Sequence, residues 1–255
     1  MAYDKVVDST QLDADLTSVA NAIRAKSGGS SQLAFPAGFV SAIQAIPSGG
    51  GNYDPYGLPS GYTALKYLKA TGTQWIKTDI APTLETTIQA TGQRTVASGY
   101  GAIMGSYDPI AYIPMGNGAY GGRYYARFGS SSEKNIDVPF PVGTALPPTI
   151  TLNKTQAVFS TEGMADKTLA IGATGLGTVD PSTRIALFGR HNGGNDTCST
   201  TSGFLLRAKI WDDGTLVADF VPAKRDADDV LGMYDLVSNT FYTNAGSGTF
   251  VGGEF

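Results

Sequence analysis

The hydrophobic period of this 255-residue chain changes once, and that change limits what it can fold into. Up to Ile46 apolar residues recur at helical spacing; from Tyr62 to Phe255 they recur in short, often alternating runs broken by turn residues. Leu12, Leu16, Val19 and Ile23 are spaced 4, 3, 4, an a/d stripe with Ala14, Ala20 and Ala22 between them. Ser9 or Thr10 can cap this helix, with Asp13 completing a capping box after Thr10. Lys26 falls in its last turn and Gly28-Gly29 ends it. Pro36, as a first-turn proline, predicts a second helix with Phe35, Phe39, Val40, Ile43 and Ile46 on one face, and Pro47 stops it.

Helices this short are marginal in isolation. Burying the first stripe gives roughly 6–12 kcal/mol per chain as an upper bound. Its most economical partner is the same helix from another copy, with packing onto the rest of the chain as the alternative. Leu12, Leu16, Val19, Ile23, Phe35, Phe39 and Ile43 are therefore the expected oligomerisation residues, in an assembly taken as a trimer. Residues 1–47 then form a helical oligomerisation or docking segment. Residues 48–61, opening with Ser48-Gly49-Gly50-Gly51-Asn52, read as a Gly/Pro-rich linker, and residues 62–255 as a β domain.

Strands are predicted at 64–68, 75–80, 86–91, 102–105, 124–128, 149–152, 156–160, 167–171, 185–189, 203–211, 215–221 and 240–243. In the clearest of them Leu205, Arg207, Lys209 and Trp211 share one face, and Leu206, Ala208 and Ile210 the other. Asp213-Gly214, Ser60-Gly61, Asn117-Gly118, Asn192-Gly193 and Pro147-Pro148 mark turns. With 33 Gly, 13 Tyr and only 16% charged residues, against roughly 25% in a typical soluble domain, the composition also suits short strands with many turns. The expected architecture is mainly β, a two-sheet sandwich or jelly roll behind a short helical segment.

The charge balance is 18 − 22 = −4, and no stretch clusters Lys and Arg, which argues against nucleic acid and anionic membranes as partners. One cysteine, Cys198, rules out an internal disulfide and a multi-cysteine zinc site; one histidine, His191, rules out His-pair metal motifs. Met1-Ala2-Tyr3-Asp4-Lys5 is not the start of a secretory signal, and no window approaches the ~18 apolar residues of a membrane span, so synthesis in the cytosol without membrane insertion is expected. No cofactor is expected. Asp226-Ala227-Asp228-Asp229 could attract Ca²⁺, but its spacing is not that of a calcium loop, and a solvated acidic turn is the plainer reading.

Catalysis finds little support. Hydrolysis of a glycosidic bond needs two facing carboxylates, and none of Glu85, Glu133, Glu162 and Glu254 has another acid two residues away. Binding is better served. Tyr107, Tyr112, Tyr120, Tyr124 and Tyr125 are interleaved with glycines and with Arg123 and Arg127, and such rings offer rigid faces to sugar C–H surfaces. The polar run Gly189-Arg190-His191-Asn192-Gly193-Gly194-Asn195-Asp196 reads as a loop whose His191, Asn192, Asn195 and Asp196 could meet sugar hydroxyls. An exposed turn and ordinary sandwich packing are the plainer readings of these two features. Cys198 reads as a small buried residue.

The stretch from Leu12 to Lys26, leading into Leu33-Ala34-Phe35-Pro36-Ala37-Gly38-Phe39-Val40-Ser41-Ala42-Ile43, resembles a segment of bacteriophage tail and fibre proteins. Leu65-Lys66-Tyr67-Leu68-Lys69-Ala70-Thr71-Gly72-Thr73-Gln74-Trp75-Ile76-Lys77-Thr78 opens the β domain. Phe220-Val221-Pro222-Ala223-Lys224-Arg225 and the run from Gly232-Met233-Tyr234-Asp235 to Asn244 close it. Together these are similar to concanavalin A-like (laminin G-like) sandwich domains of phage structural proteins and gut-bacterial surface proteins. The resemblance implies a lectin-like jelly roll on a virion appendage, with other virion proteins and host-surface glycan as partners. A capsid decoration or tail-tip protein that binds no glycan is the structural alternative, and a glycoside hydrolase the enzymatic one.

Overall fold

The computed structural model describes residues 9–27, 32–36, 38–41, 53–95, 102–107, 110–114, 123–131, 134–137 and 147–255. They divide into two compact units, Met1–Tyr53 and Asp54–Phe255.

In the first unit one helix, α1 (Ser9–Ser27), already contains Ser9 and Thr10, the expected caps. Residues 38–41 are helical, in line with the expected second helix, and the Pro36 carbonyl accepts the Val40 N–H (3.1 Å). Ala20, Ile23 and Phe39 are buried together, with Leu16 and Leu33 alongside. The expected oligomerisation residues thus separate. Leu16, Ile23 and Phe39 pack within the unit, while Leu12, Val19 and Phe35 stay exposed, as does Val40. Ile43 lies outside the described residues. A segment as short as 33–41 can cover only part of a four-residue stripe.

The second unit starts at Asp54, ahead of the expected domain start at Tyr62. The Asp54 carboxylate accepts the N–H groups of Tyr56 (2.9 Å) and Gly57 (3.1 Å). Tyr56 and Leu58 pack with Tyr62 on Val221, Ala223 and Tyr234, so this part of the expected linker belongs to the sandwich.

In chain order the strands are β1 (Tyr62–Ala64), β2 (Tyr67–Thr71), β3 (Ile76–Lys77), β4 (Thr87–Arg94), β5 (Met104–Gly105), β6 (Ile110–Pro114), β7 (Arg123–Phe128) and β8 (Lys134–Asp137). Next come β9 (Thr149–Leu152), β10 (Gln156–Ser160), β11 (Lys167–Ala170), β12 (Ala186–Leu187), β13 (Gly189–Asn192) and β14 (Thr197–Thr200). The last are β15 (Ser202–Asp212), β16 (Thr215–Arg225), β17 (Val230–Asp235), β18 (Thr240–Tyr242) and β19 (Val251–Gly253). The larger sheet runs β11-β10-β9-β4-β15-β16-β17-β18, with β1 on β16 and β2 joining β15 to β19; the smaller runs β3-β12-β5-β6-β7-β8. All of their pairings are antiparallel, and β13 and β14 form a separate hairpin. Between the sheets lie Leu68, Ile88, Ile150, Leu152, Phe159, Ile210 and Phe220 from the larger, with Ile76, Met104, Phe128 and Leu187 from the smaller, all essentially inaccessible to water. The protein is a β-sandwich.

Two local departures from period 2 matter. On β15 the register against β4 slips between Leu205 and Arg207, a bulge that turns Leu205 into the core beside Ala208 and Ile210 and corrects the expected alternation. Arg207 then faces outward, where it holds Asp219 through two bonds (2.7 and 2.6 Å). The expected strand at 185–189 is divided by Phe188, which adopts a left-handed φ of 63° with its ring fully buried against Phe250. That residue turns the chain from β12 into β13. The Asp213-Gly214 turn behaves as predicted, both residues taking positive φ in a two-residue hairpin between β15 and β16.

The opening and closing stretches of the β domain meet. The Asn244 side chain accepts the Trp75 N–H (3.2 Å), and the buried Gln74 amide donates to the Thr249 carbonyl (3.0 Å). Asp235, 1% exposed, accepts the Asp219 N–H across the strands (2.8 Å) and caps its own turn through Val237 and Ser238. Gly232 lets β18 approach: a Cβ there would stand 2.2 Å from the Tyr242 carbonyl oxygen.

Candidate functional site

The left-handed Phe188 directs β13 away from the smaller sheet to pair with β14, setting Arg190 opposite Ser199, His191 opposite Cys198 and Asn192 opposite Thr197. Ser106, just past β5, forms a parallel bridge with His191, and the Tyr107 N–H donates to the His191 carbonyl (2.8 Å). Alternation across this patch puts Ser106, His191 and Cys198 on its inner side. The outer side carries Tyr107, Arg190, Asn192, Thr197 and Ser199. Exposure agrees: Ser106 and His191 are fully buried, whereas Tyr107 is 45% exposed.

Beneath the patch the imidazole of His191 stacks on the Trp75 indole, ring centres 5.6 Å apart. His191 Nδ1 accepts the Arg184 N–H (3.0 Å), which fixes the proton on Nε2, and Nε2 donates to Asp196 Oδ1 (2.9 Å). Asp196 also binds the Lys77 ammonium. The Lys77 contact, then the His191 N–H, hold the Asp196 carboxyl below the usual aspartate range. The turn between the strands is Gly193–Asn195, a short 3₁₀ segment. Gly193 is needed because a Cβ there would stand 2.4 Å from the Thr183 nitrogen. Nearby, the hydroxyl and N–H of Ser182 lower the Asp180 carboxyl. Burial pushes the Cys198 thiol up to about 12, so it stays protonated and inert as a nucleophile at neutral pH.

On the outer side the Arg190 guanidinium lies over the Tyr107 ring, 5.4 Å from its centre. Its Nε is buried and has no hydrogen-bond partner. The patch therefore offers an aromatic surface, a guanidinium fork and flanking amide and hydroxyl groups, all on paired strands anchored from below.

Of the expected contact residues, the structure brings together Tyr107, Asn192, Asn195, Asp196 and His191. His191 is a correction: it lies on a strand rather than in an exposed loop, and it supports the surface from underneath because both ring nitrogens and one ring face are engaged. Tyr112 is on the neighbouring β6, opposite Met104. Tyr124 and Tyr125 pair with Pro114 and Ile113, toward the end of β6 away from Ile110, and Arg123 pairs with Asp137 on β8, so these three are not at the hairpin. Tyr120 lies outside the described residues. Sequence reading missed Trp75, Lys77 and Arg190. The signal for Arg190 is present, since it flanks His191 in the alternation of a strand whose glycines and polar residues give it the look of a loop.

A groove of about 720 Å³ lies between the β16–β17 turn and the chain before β19, lined among others by Arg225, Asp228, Leu231, Asn244, Thr249 and Phe250. Its charges are already engaged: Arg225 grips Asp228 through two bonds (2.9 and 2.7 Å) and Lys224 pairs with Asp229 (3.1 Å). Its phenylalanine is 5% exposed. The Tyr107 patch therefore has the better chemistry for a sugar. The same pairings, with Asp226 accepting the Thr63 hydroxyl (2.6 Å), engage each acid of the stretch considered for Ca²⁺. Among the described residues no three His, Cys, Asp or Glu side chains gather in a metal-binding cluster. Among them, too, no helix is long and apolar enough to cross a membrane.

No protein-family model matches the chain, and no curated protein does. Solved structures do, among them a candidate carbohydrate-binding protein from Bacteroides ovatus, with a TM-score of 0.52 and 9% identity over 75% of this chain. The match spans 60% of that protein's length. At this identity the likeness is one of architecture: the chain shares the sheet-rich sandwich fold of that protein.

Proposed function

We propose that this chain is a non-catalytic carbohydrate-binding protein whose contact face is the outer side of the β13–β14 hairpin with Tyr107. The observation that carries this reading is the convergence of Tyr107 on the 190–196 segment, fixed by the Tyr107–His191 backbone bond (2.8 Å). It joins an exposed ring, a guanidinium and hydrogen-bonding groups on a preorganised support, the combination that sugars reward with C–H/ring contact and hydroxyl pairing. The sandwich shared with a candidate carbohydrate-binding protein supports it further.

In this reading the protein belongs to a bacteriophage virion appendage and recognises a host-surface glycan. The N-terminal unit associates with copies of itself, as a trimer, and docks other virion proteins. The tail-protein-like run from Leu12 to Ile43 supports this, as do the exposed apolar side chains Leu12, Val19, Phe35 and Val40. A glycan array followed by titration of the best-bound sugar tests the binding. Tyr107→Ala is expected to weaken that sugar at least tenfold, about 1.4 kcal/mol, with an unchanged thermal melt. Absence of saturable binding to any glycan would refute the reading and leave a structural virion role.

A further inference from the structure

We infer that the glycan recognised at this face is acidic, its carboxylate received by Arg190. The inference rests on the reading above and narrows its ligand class. Arg190 has five N–H donors; its Nε is buried without a hydrogen-bond partner, which leaves the outer Nη edge of the half-buried side chain as the part a ligand can meet. A buried donor without an acceptor is unfavourable by itself, and this one is held in place by the Tyr107 ring on one side and the strand pairing of β13 on the other. The planar fork is matched by two oxygens in one plane, which a carboxylate supplies.

The surroundings favour an anion. Around the hairpin the charged side chains among the described residues are Lys77, Arg184 and Arg190 with Asp180 and Asp196, a balance of 3 − 2 = +1 in a chain of net charge −4. Asp196 is engaged by Lys77 and His191, and Asp180 by Ser182. Arg184 donates to the carbonyls of Pro181 (2.9 Å) and Thr183 (2.8 Å), and among the described residues no carboxylate pairs with it. The carboxylate of a sialic or uronic acid would accept from Arg190 while its pyranose ring lies against the remaining exposed surface of Tyr107. Its hydroxyls would then reach Asn192, Thr197 and Ser199. Sulfated sugars share the negative charge and can also offer two oxygens to the fork, so the glycan array separates them from carboxylated ones.

The test uses the full chain on an array of neutral, sialylated, uronic-acid and sulfated glycans. The strongest acidic hit is then compared with its carboxyl-reduced counterpart, which is neutral but otherwise the same sugar. Wild-type protein is expected to bind the carboxylated form at least tenfold tighter than the reduced form, and the gap should narrow in high salt. Arg190→Gln should erase that difference while keeping residual binding to the reduced sugar, and Arg190→Lys should restore only part of it. Tyr107→Ala should weaken both forms. Saturable binding to neutral glycans with no gain from a carboxylate overturns the acidic assignment while the carbohydrate reading stands. A preference for sulfated over carboxylated sugars overturns the carboxylate. Binding to no glycan overturns both.

Discussion

Asp235→Ala should unpin the end of the sandwich where β17 turns back. The carboxylate, 1% exposed, accepts the Asp219 N–H (2.8 Å), the N–H groups of Val237 (3.1 Å) and Ser238 (3.3 Å), and the Ser238 hydroxyl (2.6 Å). Asp219 is itself 6% exposed, so its N–H finds no ready water when the acceptor is removed, which costs about 1–3 kcal/mol. The turn donors lie nearer the surface and recover solvent; losing their charge-assisted bonds adds about 1–2 kcal/mol. The sum, roughly 2–5 kcal/mol, corresponds to about 4–20 °C in Tm for a unit of this size. Asp235→Asn keeps one acceptor oxygen but turns an NH₂ toward the Ser238 donors, and it should cost about 1–2 kcal/mol. Scanning calorimetry and urea titration of the three proteins measure the order wild type, Asn, Ala. A Tm for the Ala variant within 1 °C of wild type, or an Asn variant no more stable than it, would refute the account of this turn.

Gly232→Ala should destabilise by about 2–4 kcal/mol, measured by urea titration, because its Cβ meets the Tyr242 carbonyl rather than a movable side chain. Leu12→Asp combined with Val19→Asp should reduce the mass seen by light scattering to that of one chain without changing the melt of the sandwich. The same change at Leu16 and Ile23 tests the interior of the helical unit instead. Acid should loosen the β13–β14 turn. The folded Asp196 carboxyl sits below its unfolded value near 3.9, so its contribution is present above that pH and is lost as pH falls through the lower folded value. Protection of the amides at 193–197, measured against their intrinsic exchange at the same pH, should therefore fall in acid for wild type, and Asp196→Asn should abolish that dependence.

Runs such as 149–152 and 156–160 were legible residue for residue, because hydrophobic alternation on half-buried strands is a local signal. The bulge beside Leu206 was not, since Leu205 and Leu206 are equally apolar and only pairing with β4 decides which turns inward. The left-handed Phe188 was hidden for a similar reason: its φ is imposed by burial of the ring against Phe250, far along the chain. At the site, the aromatic and polar residue types were readable, but their convergence was not. A parallel bridge between Ser106 and His191 follows from topology and leaves no spacing to detect. The stretches that carried the family resemblance include Gln74, Trp75, Gly232, Asp235 and Asn244, which secure turns and close approaches. Such residues mark the architecture well and say little about the ligand.

Trp75 has a double attachment, its backbone clasped by Asn244 and its indole lying under His191. The seam that fastens the two ends of the domain is thus also the floor of the proposed recognition surface. A ribosome-bound chain that has not yet released Asn244 would already hold every residue of that surface, yet lack the clasp that keeps its floor level. Binding competence should therefore wait for Asn244 to emerge and then appear in a single step.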